Sequence, residues 1–495
     1  MKKKSSRKII IVGAGFAGLA AAALLAKKGF DVLVLEKNDQ PGGRARIWEK
    51  DGFRFDMGPS WYWMPDVFEE YFQLFDKKVS DFYELQRLDP SYRVFFGGDD
   101  IEDVPAKMND LEAFFEKHQP GITVGLREFL AQAKYKYEVG MKEYVFRPSY
   151  SIFEFIDWKV IVQSVKIQLF QSMRKHVRSF FSSEKLRQIV EFPVLFLGAT
   201  PQNTPAMYSM MNHADLVLGT WYPAGGMNEI VKAMYKIAVD EGVQFKFNAA
   251  VSNIETVAGI AKKVKVNNEF FEADVIVANS DYEHTEQKLL EKPDQSYSAE
   301  YWENRTMSPS SLLFYIGLNK KIEGVLHHNL FFDEDFELHA EEIYSDPKWP
   351  TKPLFYASCP SKTDSTIAPE GCENLFFLIP LAPGLKDSEE MREKYFQLIL
   401  ARFEKLTKQT ISDSIIVKRS YAMDDFVKDY NSFKGNAYGL ANTLMQTAFF
   451  KPSLRSKKIK NLFFTGQLTV PGPGVPPSII SGRVVADEVE KYLRK

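Results

Sequence analysis

Two short apolar runs near the beginning of the chain flank a helical pattern. Residues 9–12 and residues 32–35 are rich in Ile, Val and Leu, whereas residues 19–28 between them are mostly helix-forming Ala, Leu and Lys. Short apolar runs on either side of a helix are typical of buried strands in a parallel sheet. The chain is therefore predicted to begin with a strand, a helix and a second strand.

The same alternation continues further along the chain. Residues 67–215 are expected to be mostly helical, and residues 228–240 form an amphipathic helical pattern after a glycine-containing loop. A last helix is predicted from about residue 478 to the end. Apolar runs predict further strands at residues 243–247, 250–254, 273–279, 311–318, 375–380 and 461–466. Strands that alternate with helices indicate an α/β fold.

Glycines occupy the predicted turn between the first strand and the first helix. Gly13, Gly15 and Gly18 have the spacing GxGxxG, and Glu36 follows the second strand, 18 residues after Gly18. In this spacing the glycines permit a tight turn, a close approach to a pyrophosphate and close packing of helix on strand. The acid can accept both ribose hydroxyls of an adenosine. An ordinary glycine turn in some other α/β unit is less favoured, because Glu36 stands at the position of the ribose-binding acid. The acid also disfavours a 2′-phosphate, which leaves NAD or FAD.

A second glycine pair follows the acid. Gly42 and Gly43 precede Arg44 and Arg46, which suits a loop that wraps around an extended dinucleotide. Either arginine can contact phosphate with paired donors, and a surface salt bridge is the alternative for Arg44. The arrangement favours FAD and resembles the glutathione-reductase-type FAD family, in particular its amine oxidase and carotenoid desaturase branch.

A glycine-rich loop near the C-terminus is the second strong motif. An apolar strand ends at Gly466, and Gly472 and Gly474 then precede the last predicted helix. A loop of this kind can present backbone N–H groups and the positive end of a helix dipole to a flavin ring. Gly-Pro sequences also make ordinary turns, but a strand, a glycine loop and a helix in this order favour the flavin interpretation.

With both ends considered, the chain resembles the bacterial-type phytoene desaturases of the carotenoid desaturase family, which are related to amine oxidases. The resemblance rests on the GxGxxG turn with Glu36 and on residues 41–45, 56–59, 222–227 and 466–476. It implies an α/β protein with a discontinuous, glutathione-reductase-type Rossmann domain for FAD and an α+β substrate and membrane-associating domain. The FAD domain is expected to comprise residues 1–85, 216–290 and 450–495. The substrate domain is expected to comprise residues 86–215 and 291–449.

The resemblance also implies which residues contact FAD. They are expected to be Gly13, Gly15, Phe16, Ala17, Gly18, Glu36, Lys37, Gly43, Arg44, Met57, Gly58, Pro59, Ser60, Val251, Gly466, Gly474, Val475 and Pro476. Asp56 and Asp66 are candidates for a catalytic base, with a cap or turn residue as the alternative. No catalytic residue is assigned, because an allylic cation loses its proton easily and water would suffice as the base. No metal site is expected.

The implied activity is desaturation of a long, uncharged polyene. FAD would accept a hydride from an allylic CH₂ of phytoene while a proton leaves the adjacent carbon, in successive steps toward lycopene. The absence of a second GxGxxG from the sequence fits an enzyme without an NADPH site, so a quinone or oxygen is the expected electron acceptor. The alternatives on this scaffold are a diapophytoene desaturase, a carotenoid isomerase, an end-group oxidase or a retinol saturase-like enzyme. A non-enzymatic carotenoid or FAD carrier is the alternative outside enzymes.

Composition narrows the choice of partners. Sixty-three Lys and Arg against 65 Asp and Glu give a formal net charge of -2, so no nucleic-acid partner is expected. Two cysteines without CxxC spacing give no support to a disulfide framework or a zinc site. Forty phenylalanines favour either a tunnel lined with apolar groups or a Phe-rich core.

One segment suggests contact with a membrane. Residues 161–181 combine apolar groups at helical spacing with Lys and Arg, which predicts a helix that lies in a membrane interface or covers the core. No apolar run approaches the roughly 20 residues of a spanning helix. Because a polyene substrate resides in the bilayer, docking to a membrane surface is expected. The protein is expected in the cytoplasm, peripherally associated with the inner face of the cell membrane, and the sequence gives no prediction of the oligomeric state.

Overall fold

A computed structural model describes residues 7–151, 168, 171–197 and 200–494 of the chain. The α-helices of at least five residues are α1 (Phe16–Lys27), α2 (Pro65–Gln73), α3 (Met108–His118), α4 (Thr123–Val139), α5 (Met173–Phe180), α6 (Glu184–Glu191), α7 (Asn228–Asp240), α8 (Ala299–Glu303), α9 (Phe336–Tyr344), α10 (Glu389–Thr407), α11 (Met423–Tyr430) and α12 (Val475–Leu493).

The strands belong to a parallel sheet, a large mixed sheet, a small antiparallel sheet and two ribbons. They are β1 (Lys8–Val12), β2 (Asp31–Leu35), β3 (Ile47–Lys50), β4 (Phe53–Asp56), β5 (Leu85–Arg87), β6 (Tyr92–Gly97), β7 (Asp100–Val104), β8 (Trp221–Pro223), β9 (Gln244–Lys246), β10 (Val251–Val257), β11 (Ile260–Val266), β12 (Glu269–Glu272), β13 (Val275–Ala278), β14 (Ser310–Leu318), β15 (His328–Phe331), β16 (Phe355–Ser358), β17 (Glu373–Leu381), β18 (Ile415–Tyr421) and β19 (Leu462–Phe464).

The parallel sheet carries the N-terminal unit that the hydrophobic pattern predicts. Its strand order is β19-β13-β1-β2-β9, and every neighbouring pair is parallel. Helix α1 is buried along almost its whole length and packs against α7 and α12. A Cβ at Gly482 of α12 would lie 2.3 Å from the backbone oxygen of Ala17, so these helices cross at a distance that only glycine allows. Burial on both faces explains why β1 and β13 are uninterrupted apolar runs.

The large sheet has the order β18-β14-β17-β16-β15-β6-β7 and is antiparallel except between β15 and β6. Strand β14 is buried at every position, and its side chains alternate between two cores. Phe314 packs on Phe396 of α10, with 5.0 Å between ring centroids. Leu313 points to the opposite face, toward the parallel sheet. The space between the two sheets is therefore lined by both.

The two sheets draw on different parts of the chain. The strands of the parallel sheet lie within residues 1–85, 216–290 and 450–495, and those of the large sheet lie within residues 86–215 and 291–449. The division of the chain into an FAD domain and a substrate domain stays a prediction.

The basic amphipathic segment is described only in part. Residues 161–167, 169 and 170 lie outside the described residues, and α5 follows them. Met173 and Val177 of α5 are fully buried, whereas Lys175 and Arg178 are exposed. In this part of the segment the apolar face packs into the core, which agrees with the interpretation as a core-covering helix. Among the described residues no helix is long and apolar enough to cross a bilayer.

Candidate cofactor and substrate site

A cavity of about 860 Å³ lies between the two sheets. Val12, Leu35 and Phe464, at the carboxyl ends of parallel strands, line one side, and Leu313 and Leu378 of the large sheet line the other. Ligands of open α/β sheets bind at this edge. Of the residues predicted to contact FAD, the cavity wall includes Gly13, Gly15, Phe16, Ala17, Glu36, Lys37, Gly43, Arg44, Gly58, Pro59, Ser60, Val251, Gly466, Gly474, Val475 and Pro476. Their individual roles stay predictions.

The glycine turn has the shape that a dinucleotide requires. Gly13 adopts φ +103°, a conformation that favours glycine, and Gly15 lines the cavity. Gly18 does not line the cavity. It faces the turn instead, where a Cβ would lie 2.2 Å from the backbone oxygen of Gly13. Gly18 therefore serves the packing of α1 on β1. The Asn279 side chain donates to the Gly13 oxygen at 3.1 Å and closes the turn from β13.

Glu36 is held at the cavity wall by its own neighbourhood. Its Oε2 accepts the backbone N–H of Ala14 at 2.6 Å, and its Oε1 accepts the backbone N–H of Asn38 at 2.8 Å. The carboxylate is buried and fixed by the turn that it adjoins. Its role as an acceptor for a ribose stays a prediction.

Arg44, and not Arg46, reaches the cavity. Arg44 donates through Nη2 to Ser432 Oγ at 2.8 Å, and its guanidinium lies over the ring of Tyr430 at 5.2 Å. Its Nε is buried without a partner among the described residues, and burial lowers the pKa of the guanidinium. Arg46 instead pairs with Asp429 at 2.6 Å. A buried cation with an unused donor, beside the glycine turn, fits a phosphate.

Close backbone contacts continue to the turn at residues 57–60. A Cβ at Gly58 would lie 2.4 Å from the backbone oxygen of Arg44, so only glycine fits. Met57 does not line the cavity; its carbonyl accepts the hydroxyl of Tyr315 at 2.7 Å. Met57 anchors the turn to β14 from behind, while Pro59 and Ser60 face the cavity.

The two candidate bases lie away from the cavity wall. Asp56 accepts the backbone N–H groups of Met227 at 2.7 Å and Asn228 at 2.9 Å, and so caps α7 from a distant strand. Burial raises the pKa of Asp56 to about 6. Asp66 is exposed in the first turn of α2 and accepts the hydroxyl of Tyr137 at 2.8 Å. Both positions match the cap-or-turn alternative.

The last helix begins earlier than the sequence predicts. Helix α12 starts at Val475 and not near Ser478, because Pro476 and Pro477 fit the first turn of a helix, where no N–H is needed. Ser478 N–H already bonds to the oxygen of Gly474 at 3.0 Å. The first four backbone nitrogens of this helix end belong to Gly474, Val475, Pro476 and Pro477. Only those of Gly474 and Val475 have a hydrogen to donate, because proline has no N–H group. The expected array of N–H donors toward the flavin is therefore half as large as a proline-free helix would give.

Comparison with known proteins assigns the family. The family described as flavin containing amine oxidoreductase matches residues 16–490. The carotenoid 3,4-desaturase of Haloarcula japonica is 40% identical over 98% of this chain and 99% of its own length. The zeta-carotene-forming phytoene desaturase of Myxococcus xanthus is 33% identical, over 98% of this chain and 94% of its own. A 4,4'-diapophytoene desaturase (4,4'-diaponeurosporene-forming) of Staphylococcus haemolyticus is 32% identical, over 97% and 98%.

This chain belongs to the carotenoid desaturases. Its cofactor is FAD, and it is an oxidoreductase of the flavin containing amine oxidoreductase family. A solved oxidoreductase from Methanosarcina mazei has a TM-score of 0.65 at 15% identity and covers 97% of this chain and 100% of its own. That likeness confirms the predicted α/β fold with a Rossmann-type FAD domain.

The charged part of the desaturase cavity is its nucleotide end, the wall around Gly13, Gly15 and Glu36. Among the described residues, the ionisable side chains other than tyrosine on the cavity wall are Glu36, Lys37, Arg44, Asp281, His284 and Asp429. They neighbour one another: burial lowers the pKa of Lys37 while the nearby charges of Asp429 and Glu36 oppose that shift. Asp281 has the same opposing effect on the pKa of the buried Arg44. Charge is thus confined to the half of the cavity that suits ribose and phosphate.

The other half is the apolar end, the wall around Trp61, Trp63 and Tyr356. Trp61 stacks on His328 with 4.0 Å between ring centroids and 10° between planes. Most of the methionines and tyrosines that complete this wall come from segments distant from Trp61, so no local sequence pattern predicts them. These additional wall residues are Met64, Met141, Met207, Met210, Met211, Met445, Tyr356 and Tyr438.

Proposed function

We propose that this carotenoid desaturase removes a hydride and a proton from phytoene in successive steps, giving a more conjugated carotene such as lycopene. The supporting observation is the apolar end of the cavity. In the described part of its wall the polar groups are hydroxyls and amides, without a carboxylate, histidine, lysine or arginine. A long hydrocarbon binds such a wall by apolar contact, whereas a charged amine would find no partner there.

Bound FAD supplies the two-electron oxidation by taking a hydride from an allylic carbon. The protein contributes the orientation of the polyene. Trp61 and Tyr356 line the substrate space, and an aromatic face stabilises positive charge within about 6 Å. A delocalised allylic cation beside these rings is acidic enough to give its proton to a water molecule, so no dedicated side-chain base is needed. Tyr438, whose pKa burial raises to about 12, stays protonated and does not act as one at neutral pH.

A second candidate is desaturation of a later carotenoid at its 3,4-position. It is favoured by the 40% identity to the Haloarcula japonica 3,4-desaturase over nearly both full lengths. The diapophytoene desaturase at 32% identity supports a shorter polyene as a further alternative. The flexible methionines of the apolar end can accommodate any of these chains.

The deciding experiment uses purified protein with FAD and liposomes that contain 15-cis-phytoene, diapophytoene or lycopene. A quinone under anaerobic conditions, and oxygen in a parallel set, serve as electron acceptors. We expect phytoene to be consumed, with a red-shifted polyene spectrum and bleaching of the flavin when no acceptor is present. Conversion of lycopene alone would favour a 3,4-desaturase. A changed cis/trans composition of the polyene without net oxidation would indicate an isomerase. A flavin that is not bleached by any of the polyenes when no acceptor is present would indicate a carrier.

We also propose that the cavity opens toward a membrane at residues 445–450. Met445 is 63% exposed and Phe450 is 38% exposed, and both also line the cavity, so the apolar space reaches the surface there. Exposed apolar groups around the opening of an apolar cavity suit entry of a polyene from lipid. The membrane contact proposed here is thus the cavity opening, on the inner face of the cell membrane, and not α5.

Liposome co-sedimentation tests this contact. Met445→Glu and Phe450→Glu should each reduce the bound fraction, while the flavin content stays unchanged. Val257→Glu is the matched control, because Val257 is 62% exposed but lies on β10, away from the cavity wall. Equal sedimentation of all variants would contradict docking through residues 445–450.

A further inference from the structure

A buried lysine lies directly behind the glycine-rich loop that precedes α12. Lys451 is 5% exposed, and its Nζ has no hydrogen-bond partner among the described residues. Asn442 Oδ1 is buried and unpartnered in the same way. A Cβ built on Gly472 would lie 3.2 Å from Asn442 Oδ1 and 3.4 Å from Lys451 Nζ. The two polar side chains therefore converge on Gly472, whose neighbours Pro471 and Pro473 line the cavity.

Another buried lysine shows how unusual this arrangement is. Lys136 Nζ donates to Gln168 Oε1 at 2.8 Å, to the Ala206 carbonyl at 3.1 Å and to Ser209 Oγ at 2.9 Å. Its amine is thus satisfied by the fold itself. Lys451 has no comparable set of protein acceptors, and an unpaired buried amine costs stability. Burial lowers the pKa of Lys451 to about 7.

The start of α12, next to Lys451, has fewer N–H donors than an ordinary helix start. Helix α12 begins with two prolines, so only the amides of Gly474 and Val475 can donate toward the cavity. A flavin ring gains negative charge on reduction, and positive groups beside it favour that state. With half of the usual donors missing, this helix end supplies less of that stabilisation than an ordinary one.

We propose that Lys451, together with Asn442, is a positioning residue for the FAD ring and supplies the positive charge that the proline-containing start of α12 lacks. The amine acts through the wall formed by residues 471–474, and Asn442, which lines the cavity, presents its unpartnered amide oxygen at the same glycine. The inference rests on the FAD-dependent function. An oxygen on the end group of a polyene is the competing occupant for this pair of side chains.

The test is the two-electron midpoint potential of the flavin in the holoenzyme, measured by anaerobic spectroscopic titration. Lys451→Met should make reduction at least tenfold less favourable, which is about 30 mV. Equivalently, the apoprotein of this variant should bind reduced FAD at least tenfold more weakly relative to oxidised FAD. Lys451→Arg, which keeps the charge, should restore most of the potential. Asn442→Leu offers a second variant that leaves the lysine in place and should lower the potential by a smaller amount.

Lys136→Met is the matched control, because it removes another buried lysine at a site that does not line the cavity. It should lower thermal stability without changing the potential. A wild-type potential and wild-type FAD binding in Lys451→Met would overturn the inference. The inference would also be overturned if the only change in this variant were the KM for a hydroxylated carotenoid. A Lys451-dependent potential in a protein that oxidises no polyene would instead count against the proposed function only.

Discussion

The nucleotide end and the apolar end of the cavity are built in opposite ways. At the nucleotide end, the Gly13 N–H bonds to the Leu35 oxygen at 2.8 Å, and Glu36 accepts the Ala14 N–H at 2.6 Å. These two contacts join the glycine turn to the end of the neighbouring strand, 22 positions along the chain, and each uses a backbone N–H on a rigid sheet. At the apolar end, Trp61 stacks on His328, and the hydroxyls of Tyr208 and Thr447 lie 3.2 Å apart, so each contact joins distant segments through side chains.

The difference suits two ligands with different demands. A cofactor of fixed shape is bound by fixed backbone geometry, whereas a wall of methionines and aromatic rings adapts to polyenes of different length and conjugation. Relatives named for three different carotenoid substrates match nearly the whole of this chain. We therefore expect substitutions at the two ends to separate cofactor binding from substrate binding.

The largest effect is expected from Gly18→Ala at the nucleotide end. The added Cβ would lie 2.2 Å from the Gly13 oxygen, so the turn must move and FAD binding should fall at least 100-fold, checked by the flavin absorbance of the purified protein. Gly29→Ala is the control: the added Cβ strains the backbone, because φ is +95°, but nothing lies within 4 Å of it. It should cost about 1–2 kcal/mol of stability and no flavin. Full flavin content in Gly18→Ala would show that the turn is less rigid than its contacts suggest.

Glu36→Ala should weaken FAD binding by about 10- to 100-fold. The variant loses the acceptor of the predicted ribose contact and leaves the Ala14 N–H without its partner, at a cost of about 1–3 kcal/mol. Fluorescence titration of the apoprotein with FAD measures the change. An unchanged dissociation constant would remove Glu36 from the cofactor site.

Trp61→Ala tests the apolar end. We expect flavin content and FAD affinity to stay unchanged, while KM for the polyene rises about tenfold, because the ring that stacks on His328 is lost from the wall. Steady-state kinetics with phytoene liposomes provide the measurement. Loss of flavin in this variant would mean that the two ends are coupled and would break the comparison.

The smallest effect on activity is expected from Asp56→Asn, which touches neither end. Because the folded-state pKa of about 6 lies above the ordinary value of 3.8, the native state binds more protons than the unfolded state between pH 4 and 6. The free energy of unfolding should therefore fall as pH rises through this window, by about 3 kcal/mol in total, and level off above pH 7. Thermal unfolding from pH 4.5 to 7.5 should show this slope in the wild type and not in the variant. A large loss of kcat in the variant would reinstate Asp56 as a base.

The local sequence pattern was sufficient to predict the secondary structure of the N-terminal unit and of α7. Strands β1 and β2, helix α1 and the bounds of α7 follow the hydrophobic periodicity and glycine spacing, because their geometry depends on neighbours in the sequence. One expectation failed locally: the prolines at 476 and 477 indicated a loop but form the first turn of α12. The basic pattern at residues 161–181 left a membrane-interface helix and a core-covering helix open, and α5, in its described part, packs its apolar face into the core.

The sequence by itself determined that the protein has an FAD-type nucleotide end, since a glycine turn and an acid at fixed spacing specify that geometry through the backbone. Only the tertiary structure decided that Arg44 and not Arg46 faces the cavity, that Asp56 caps α7, and that Lys451 meets Asn442 behind Gly472. The reason is physical: these contacts join side chains from segments far apart in the chain, and their meeting depends on how the two sheets pack, which no local spacing encodes.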